Sequence, residues 1–335
     1  MSIENIEQAY DALYKAVELQ QKVMHDSFYQ AYIETLYSIV NHYQISETLE
    51  AQISEADLQV LRGFFEQLES TPLSLEEKRK VTQLVLLKGS TIEPLQANHQ
   101  LTPDSIGFLI VYLMEQLATS KEITILDPAV GSGNLLATAL LNLGDGKIKA
   151  AGIGVDIDDI LLAIADVNAQ WFDLPVRLFH QDAMQPLLIE PVDMIMSDLP
   201  IGYYPIDDKA KEYKVYSQNE DHTYAHHLMM EASMSYLKDN GFAFFLLPDN
   251  FLQSGQADEL KKWLHQDIYV QAILKLPETM FKNQKGQKDI VILQKKTDKT
   301  KQAEVLVANI PSLANKPQLQ HFLQEFDDWK QKEFS

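Results

Sequence analysis

A glycine turn between a short strand and a helix constrains the fold of this chain more than any other feature. The apolar run Ile123–Leu126 predicts a strand, the segment DPAVGSGN spans Asp127–Asn134, and an apolar helical stretch follows over Asn134–Asn142. Glycines after a strand let the backbone turn tightly and approach a ligand, which then faces the N-terminus of the next helix. The turn therefore predicts the first strand–helix unit of a doubly wound α/β sheet.

Short β-branched runs alternate with amphipathic stretches from about residue 100 onward, and this alternation predicts βαβ units. Seven strands are predicted, at Ile123–Leu126, Ala150–Val155, Val176–Phe179, Met194–Ser197, Phe242–Leu247, Gln271–Leu276 and Ile290–Gln294. Helices are predicted near Ser105–Ala118, Asn134–Asn142, Asp159–Trp171, Thr223–Lys238 and Asp258–Gln266. The expected fold class is α/β, a doubly wound, mostly parallel, seven-stranded Rossmann-like sheet.

The first part of the chain has a different pattern, with apolar residues at three- and four-residue spacing that predicts helices. A capping box at Ser74 and Glu77 marks one helix start. We therefore expect an N-terminal helical domain at 1–95, the sheet domain at 96–310 and a C-terminal helix or frayed tail at 311–335. The N-terminal helices suit either a docking bundle for a protein partner or plain solvated surface.

Composition limits the partners of the chain. Its formal net charge is −20, and a strongly acidic molecule disfavours tight, autonomous binding of nucleic acid, although a local basic patch could still bind it weakly. The chain has no cysteine, which excludes disulfides and thiolate metal sites. No signal-peptide pattern or apolar run of membrane-spanning length is present. We expect a cytoplasmic protein with no membrane contact.

The residues around the turn indicate which ligand it holds. Leu136 stands where the third glycine of G-x-G-x-x-G would be, which weakens a dinucleotide interpretation. Asp127 would repel a pyrophosphate, whereas it would attract a cation. S-adenosyl-L-methionine carries an ammonium and a sulfonium, so it is the predicted cofactor. The candidate cofactor-binding residues of the turn are Asp127, Pro128, Gly131, Gly133 and Asn134.

Two further acids follow the next predicted strands. Asp156 ends the second strand, beside Ile157, where a carboxylate can accept both hydroxyls of a ribose. Asp182 follows the third strand, beside Ala183, where it can accept an adenine amino group. Taken alone, Asp182 could be a surface turn residue. Three acids at three successive strand ends predict one nucleoside site.

The motifs DPAVGSG, GVDI, HQDAM and SDLPIG occur in this order along the chain. This order resembles the N-6 adenine DNA methylase family, especially its type I restriction modification subunits and its smaller YtxK-like members. The resemblance spans roughly Leu101–Lys296 and implies a class I S-adenosylmethionine-dependent methyltransferase. It also implies that Thr102 and Pro103 lie by the cofactor.

The family's acceptor motif is Asn, Asp or Ser, then Pro-Pro, then an aromatic. An exocyclic amine is a poor nucleophile, and acceptors for its two N–H bonds would favour a more tetrahedral nitrogen. The aromatic stacks on the extruded base. In this chain Asp198 and Pro200 match the pattern, whereas Leu199 and Ile201 replace the first proline and the aromatic. The resemblance implies catalytic roles for Asp198 and Pro200, with Asp198 also next to the cofactor.

The missing aromatic leaves the stacking residue open between Tyr203 and Tyr204. Tyr203 is taken as the catalytic candidate. Lysines interleave with tyrosines over 203–224, a pattern typical either of a nucleic-acid surface or of a lid over the pocket. A second group of lysines could meet phosphate or simply line an exposed hairpin; it comprises Lys275, Lys282, Lys285 and Lys288.

Three functions remain open at this point. The first is an N-methyltransferase acting on the amino group of adenine in DNA or RNA. The second is a methyltransferase with a protein or small-molecule target, such as a glutamine amide. The third is a non-catalytic cofactor-binding protein with a degenerate acceptor motif. His222 and His226 share a helical face, but no metal site is expected because no matching acidic or cysteine ligands accompany them.

Overall fold

In the computed structural model, the residues described are 2–94, 101–143, 147–281 and 286–334. The chain begins with five helices that pack on one another around apolar side chains. The first helix, α1, packs against the second, fourth and fifth. These helices are α1 (Ile3–Met24), α2 (Phe28–Val40), α3 (Glu47–Glu50), α4 (Glu55–Ser70) and α5 (Leu75–Ile92). Their shared core includes Leu13, Phe28, Tyr32, Leu61 and Val85, all fully buried.

A serine is the N-cap residue of each of these five helices. Its side-chain oxygen accepts a hydrogen bond from a backbone N–H that the first turn leaves unpaired. The predicted capping box is confirmed: Ser74 caps the Glu77 amide, and the Glu77 carboxylate accepts from the Ser74 amide at 2.9 Å. The predicted boundary between residues 95 and 96 lies outside the described residues.

The central sheet has eight strands in the order β3-β2-β1-β4-β5-β7-β6-β8. The strands are β1 (Glu122–Asp127), β2 (Lys149–Asp156), β3 (Val176–His180), β4 (Val192–Asp198), β5 (Leu237–Pro248), β6 (Ile268–Lys275), β7 (Lys288–Lys295) and β8 (Leu306–Asn309). All neighbours pair in parallel except β7, which runs antiparallel to both β5 and β6. The α/β class is confirmed, but the prediction of seven strands is wrong, because β8 pairs with β6 as an eighth strand at the outer edge of the sheet. The antiparallel strand β7 makes the sheet mixed.

Helices cover both faces of the sheet, as a doubly wound fold requires. They are α6 (Asp104–Leu117), α7 (Asn134–Asn142), α8 (Asp159–Trp171), α9 (Asp207–Ala210), α10 (Ala225–Met234), α11 (Ala257–Asp267) and α12 (Lys316–Phe334). Helices α6, α7 and α12 share one apolar cluster with the sheet, and α10 and α11 share another. Helix α8 packs on α2 and so joins the sheet to the N-terminal helices. No helix in the described ranges is long and apolar enough to cross a membrane.

Two predicted elements end differently in the structure. The helix predicted over Thr223–Lys238 ends at Met234, and the chain has already entered β5 at Leu237. The C-terminal stretch forms one helix, α12, whose Phe322, Phe326 and Trp329 are buried beside α6. It is therefore an integral layer of the fold rather than a frayed end.

Candidate functional site

The glycine turn has the backbone geometry that its sequence predicts. Gly131 and Gly133 have φ values of 53° and 79°, in the left-handed region that favours glycine. A Cβ on Gly133 would lie 3.1 Å from the Cβ of Ala165, whereas a Cβ on Gly131 would meet nothing within 4 Å. Gly133 thus lets α7 approach α8, and Gly131 leaves open space at the turn.

Asp127 ends β1 beneath the turn and is only 1% exposed. Its Oδ1 accepts hydrogen bonds from the Ser197 hydroxyl at 2.7 Å and from the Ala129 amide at 3.1 Å. Burial, with smaller contributions from the carboxylates of Asp156 and Asp198, raises the pKa of Asp127 to about 7. The charges of Asp156 and Asp198 therefore disfavour ionisation of Asp127, and a cation bound among the three acids would reduce this repulsion.

Asp156 ends β2 and is tied to the turn. Its carboxylate accepts from the Gly131 amide at 2.7 Å and from the Asp158 amide at 3.0 Å. Asp158 caps α8 by accepting from the Leu161 amide, so it is a helix cap rather than a ligand candidate. Ile157, beside Asp156, is exposed at the open edge of the sheet. The Asp156 carboxylate is thus held in place, and the Ile157 side chain beside it is accessible to a ligand.

Asp182 lies after β3, as predicted, and its carboxylate is held on both oxygens. Oδ1 accepts from the Met184 amide at 2.9 Å, and Oδ2 accepts from the Tyr204 hydroxyl at 2.5 Å. Burial and this carboxylate raise the pKa of Tyr204. Tyr204 is therefore turned inward and buried, which removes it as a stacking residue. Ala183 is buried beside Asp182.

Asp198 ends β4 and carries contacts on both carboxylate oxygens. The Thr102 hydroxyl donates to Oδ2 at 2.9 Å, and the Lys288 ammonium donates to Oδ1. Pro103 follows Thr102 as the N-cap residue of α6. Lys288 is a site residue that the sequence did not single out beyond a group of lysines. Within that group, Lys282 and Lys285 lie outside the described residues.

A chain of polar contacts links the N-terminal helices to Asp198. Arg79 of α5, with a fully buried side chain, donates to the Asn134 side-chain oxygen at 3.0 Å. The Asn134 side-chain amide donates to the Thr102 carbonyl at 3.3 Å, and Thr102 contacts Asp198. Arg79 also forms an ion pair with Asp104 at 3.0 Å. Arg79 is a second residue that sequence reasoning missed.

A column of rings lies beside the loop that follows Asp198. Tyr203, 54% exposed, stacks on Tyr224 with ring centroids 5.0 Å apart. Tyr224 stacks in turn on His226 at 5.3 Å and meets His227 edge-on at 5.4 Å. Tyr203 therefore has one face against a partner ring and remains accessible to solvent.

The loop between Asp198 and Tyr203 differs in exposure from residue to residue. Leu199 is fully buried, Pro200 is half-buried, and Ile201 is exposed. His222 pairs with Asp207 at 2.9 Å, whereas His226 is buried. Within the part of the chain that the structure describes, no three His, Cys, Asp or Glu side chains are grouped to hold a metal ion.

Comparison with known sequences identifies relatives over most of the chain. The profile of the family described as N-6 DNA Methylase matches residues 95–331. YtxK of Bacillus subtilis, described as uncharacterized, is 36% identical over 306 residues, which cover 90% of this chain and 92% of YtxK. The EcoEI methylase subunit, a type I restriction enzyme subunit of Escherichia coli, is 26% identical over 194 residues, covering 53% of this chain and 39% of the subunit.

Comparison with solved structures gives the same result for the fold. A crystal structure from Listeria monocytogenes, assigned to the class I S-adenosylmethionine-dependent methyltransferases, is 35% identical with a TM-score of 0.88, and the match covers 98% of this chain and 99% of that one. A modification subunit assigned to a type I restriction enzyme of Vibrio vulnificus has a TM-score of 0.65 at 14% identity, covering 90% and 66%. At that identity the second match bears on the fold alone.

Proposed function

Because the chain belongs to the N-6 DNA methylase family and is an S-adenosylmethionine-dependent methyltransferase, we propose that it methylates the amino group of adenine in DNA or RNA. The observation that carries this proposal is the setting of Asp198. Its carboxylate lies at the end of β4 and contacts Thr102, which is joined through Asn134 to the helix after the glycine turn. A methyl acceptor at Asp198 would therefore lie next to the cofactor.

The residues around the turn fit the cofactor. Neighbouring carboxylates suit its ammonium and sulfonium, and the charges of Asp156 and Asp198 add to burial in raising the pKa of Asp127. S-adenosylmethionine supplies an electrophilic methyl group when it is bound. The residues that would hold it are Thr102, Pro103, Asp127, Pro128, Gly131, Gly133, Asn134, Asp156, Ile157, Asp182, Ala183 and Asp198.

The acceptor half of the site would act by positioning the amine. Asp198 would accept one amino N–H, and a backbone carbonyl of the loop at Pro200 would accept the other. Two such acceptors localise the nitrogen lone pair, which in a planar amine is delocalised into the ring. Tyr203 would stack on the base with its accessible surface, since Ile201 offers no ring.

The strong net negative charge of −20 favours help from a partner in binding nucleic acid. We propose that a protein partner docks on the N-terminal helices and supplies the missing basic surface. The same charge favours a second candidate function, methylation of a carboxamide nitrogen in a protein, because such a target carries no phosphates. Both candidates use the same acceptor group, Asp198.

The deciding experiment incubates the protein with methyl-labelled S-adenosylmethionine and with mixed-sequence DNA or RNA. We expect label at the N6 position of adenine, identified by chromatography of digested nucleosides. Asp198→Ala should lose the label by a larger factor than it weakens cofactor binding, which calorimetry measures. Absence of label in both nucleic acids, with the cofactor shown to be bound, would contradict the proposed substrate.

A further inference from the structure

We propose that Lys288 determines the acceptor's chemical class by donating a hydrogen bond to an acceptor atom adjacent to the amine that Asp198 binds. The proposal rests on the proposed function in taking Asp198 as the group that receives the amine. It adds that the methyl acceptor must present a hydrogen-bond donor and a hydrogen-bond acceptor side by side. Adenine and a primary carboxamide both have such an edge, whereas an aliphatic amine does not.

The sheet topology brings Lys288 to Asp198. In the register of β5 with its neighbours, Asp198 of β4 lies opposite Leu246, and Lys288 of β7 lies opposite Pro248. The lysine therefore reaches across β5 from the far side to the Asp198 carboxylate. Because β7 is antiparallel, its first residue lies at the edge where the parallel strands end.

The pair has hydrogen-bonding capacity left for a ligand. A lysine ammonium has three N–H donors, and a carboxylate accepts at about four lone-pair positions. Among the described residues, two of these positions on the Asp198 carboxylate are used, by Thr102 and Lys288. The side chains of Lys288 and Asp198 are 19% and 23% exposed, so they are sheltered but reachable. A ligand can thus bind to both groups without breaking the ion pair.

The surroundings of Lys288 favour a neutral ligand edge. His226 lies close enough that burial and the Lys288 charge together lower the pKa of its imidazole to about 4. The ring is therefore neutral at ordinary pH, and it stacks on Tyr224 in the ring column. A planar heterocycle at the pair would have the Tyr224 and His226 rings nearby, and the neutral His226 ring would add no positive charge.

The chemistry of the acceptor classes then separates them. In adenine, the exocyclic amine would donate to Asp198, and the ring nitrogen beside it, N1 or N7, would accept from Lys288. In a carboxamide, the amide nitrogen and oxygen would take the same two roles. A lysine-type amine offers only donors and a positive charge, which Lys288 would repel. Discrimination against an acceptor that lacks the second atom would be tenfold to a few hundredfold, roughly the worth of a charged hydrogen bond.

The test compares oligonucleotides that contain adenine, 1-deazaadenine or 7-deazaadenine at the methylated position. The wild-type protein should lose about tenfold or more in kcat/KM on one of the two deaza analogues, which identifies the ring nitrogen bound. Lys288→Met should lower activity on adenine and reduce that discrimination to near unity. The control is Lys262→Met, an exposed lysine of α11 that carries the same charge change. Equal discrimination by Lys288→Met and the wild type would overturn the proposal.

A second readout does not depend on methyl transfer. The same oligonucleotides are titrated against protein without cofactor, and binding is followed by fluorescence anisotropy. Tighter binding of adenine than of one deaza analogue, lost in Lys288→Met, supports the role of Lys288. Equal preference for adenine over that analogue in the two proteins contradicts it, even if no nucleic acid is methylated.

A peptide panel separates this proposal from the proposed substrate. Label on a glutamine peptide, absent with Lys288→Met and with nucleic acid, would contradict the adenine proposal and support the role of Lys288. Label on a lysine peptide would overturn the role of Lys288. Label on adenine, with the same discrimination between analogues in Lys288→Met and the wild type, would support the proposed function and overturn the role of Lys288.

Discussion

The guanidinium of Arg79 donates to the side-chain oxygen of Asn134 across 3.0 Å, joining an N-terminal helix to the first residue of α7. Arg79 is fully buried and also pairs with Glu76 and Asp104. Because buried charge is costly unless it is paired, the contacts with Asp104 of α6 and Asn134 of α7 favour the docking of α5 on these helices. We therefore expect the glycine turn and the N-terminal helices to be energetically coupled.

Arg79→Met should lower the free energy of unfolding by about 1–3 kcal/mol, because Glu76 and the Asn134 side-chain oxygen lose a buried donor while Asp104 keeps Lys80. Urea unfolding measures this change, and calorimetry should show weaker cofactor binding in the variant. The control is Arg62→Met, at an exposed position of α4, which should alter stability by less than about 0.5 kcal/mol. Equal effects of the two substitutions would contradict the coupling.

The two glycines of the turn should respond unequally to alanine. Gly131→Ala places a side chain in open space and should cost about 1–2 kcal/mol, from its left-handed backbone alone. Gly133→Ala adds a close contact with Ala165 and should cost about 1–3 kcal/mol more. Thermal unfolding of the pair measures the difference. A Gly133→Ala protein as stable as Gly131→Ala would show that α7 and α8 can separate freely.

Asp127 should make stability depend on pH. Its folded-state pKa of about 7 lies above the ordinary 3.8, so the fold retains a proton that the unfolded chain has released. The stabilisation by the protonated Asp127 carboxyl is fully present below about pH 4 and is lost as pH rises to about 7. The free energy of unfolding should change by an amount on the order of 4 kcal/mol over this range. Asp127→Asn should not show this loss of stability, because its side-chain amide does not titrate.

The measurement is urea unfolding of Asp127→Asn and the wild type at several pH values between about 4 and 8. The difference in stability should move in favour of the variant up to about pH 7 and then level off. Cofactor binding by the wild type should release protons near pH 7, because a bound cation favours the ionised Asp127. A pH-independent difference would contradict the raised pKa.

His227 should make the protein less stable as pH falls, the opposite of the pH dependence expected from Asp127. It is fully buried, neither ring nitrogen has a hydrogen-bond partner among the described residues, and burial lowers its pKa to about 3. The stabilisation is present above the ordinary pKa of 6.5 and is lost as pH falls toward 3, with about 2 kcal/mol lost by pH 5.

His227→Phe retains a ring for the edge contact with Tyr224 and cannot take up a proton. Thermal unfolding at pH 7 and pH 5 should show a smaller loss of stability in the variant than in the wild type. His321→Phe, at an exposed position of α12, serves as the control and should leave the loss unchanged. An equal loss in all three proteins would refute the role of His227.

The acids of the site could be predicted because parallel strands end at a common edge. Asp127, Asp156 and Asp198 each end a strand in the structure, and Asp182 follows one closely. Short apolar runs and glycines were enough to locate those ends. The strand at Leu306–Asn309 was missed because it has only four residues with alternate ones exposed, on the outer edge of the sheet.

Lys288 and Arg79 could not be predicted for two different physical reasons. Lys288 begins an antiparallel strand, so it reaches the functional edge from a stretch that a mostly parallel pattern assigns to a loop. Arg79 lies among charged residues of α5, where the pattern indicates solvated surface, yet partners distant in sequence bury it. Both depend on tertiary contacts that local spacing does not encode.

The placement of Lys288 on β7 bears on how such a protein can acquire new substrates. Asp198 and the helix after the glycine turn are connected by Thr102 and Asn134, so a change at either residue would disturb both halves of the proposed site. Lys288 belongs to a strand outside that connection and donates to Oδ1 of Asp198, the oxygen that Thr102 does not contact. Under the proposed role of Lys288, one codon change there would alter the acceptors that are methylated while the link from Thr102 through Asn134 to the glycine turn stays intact.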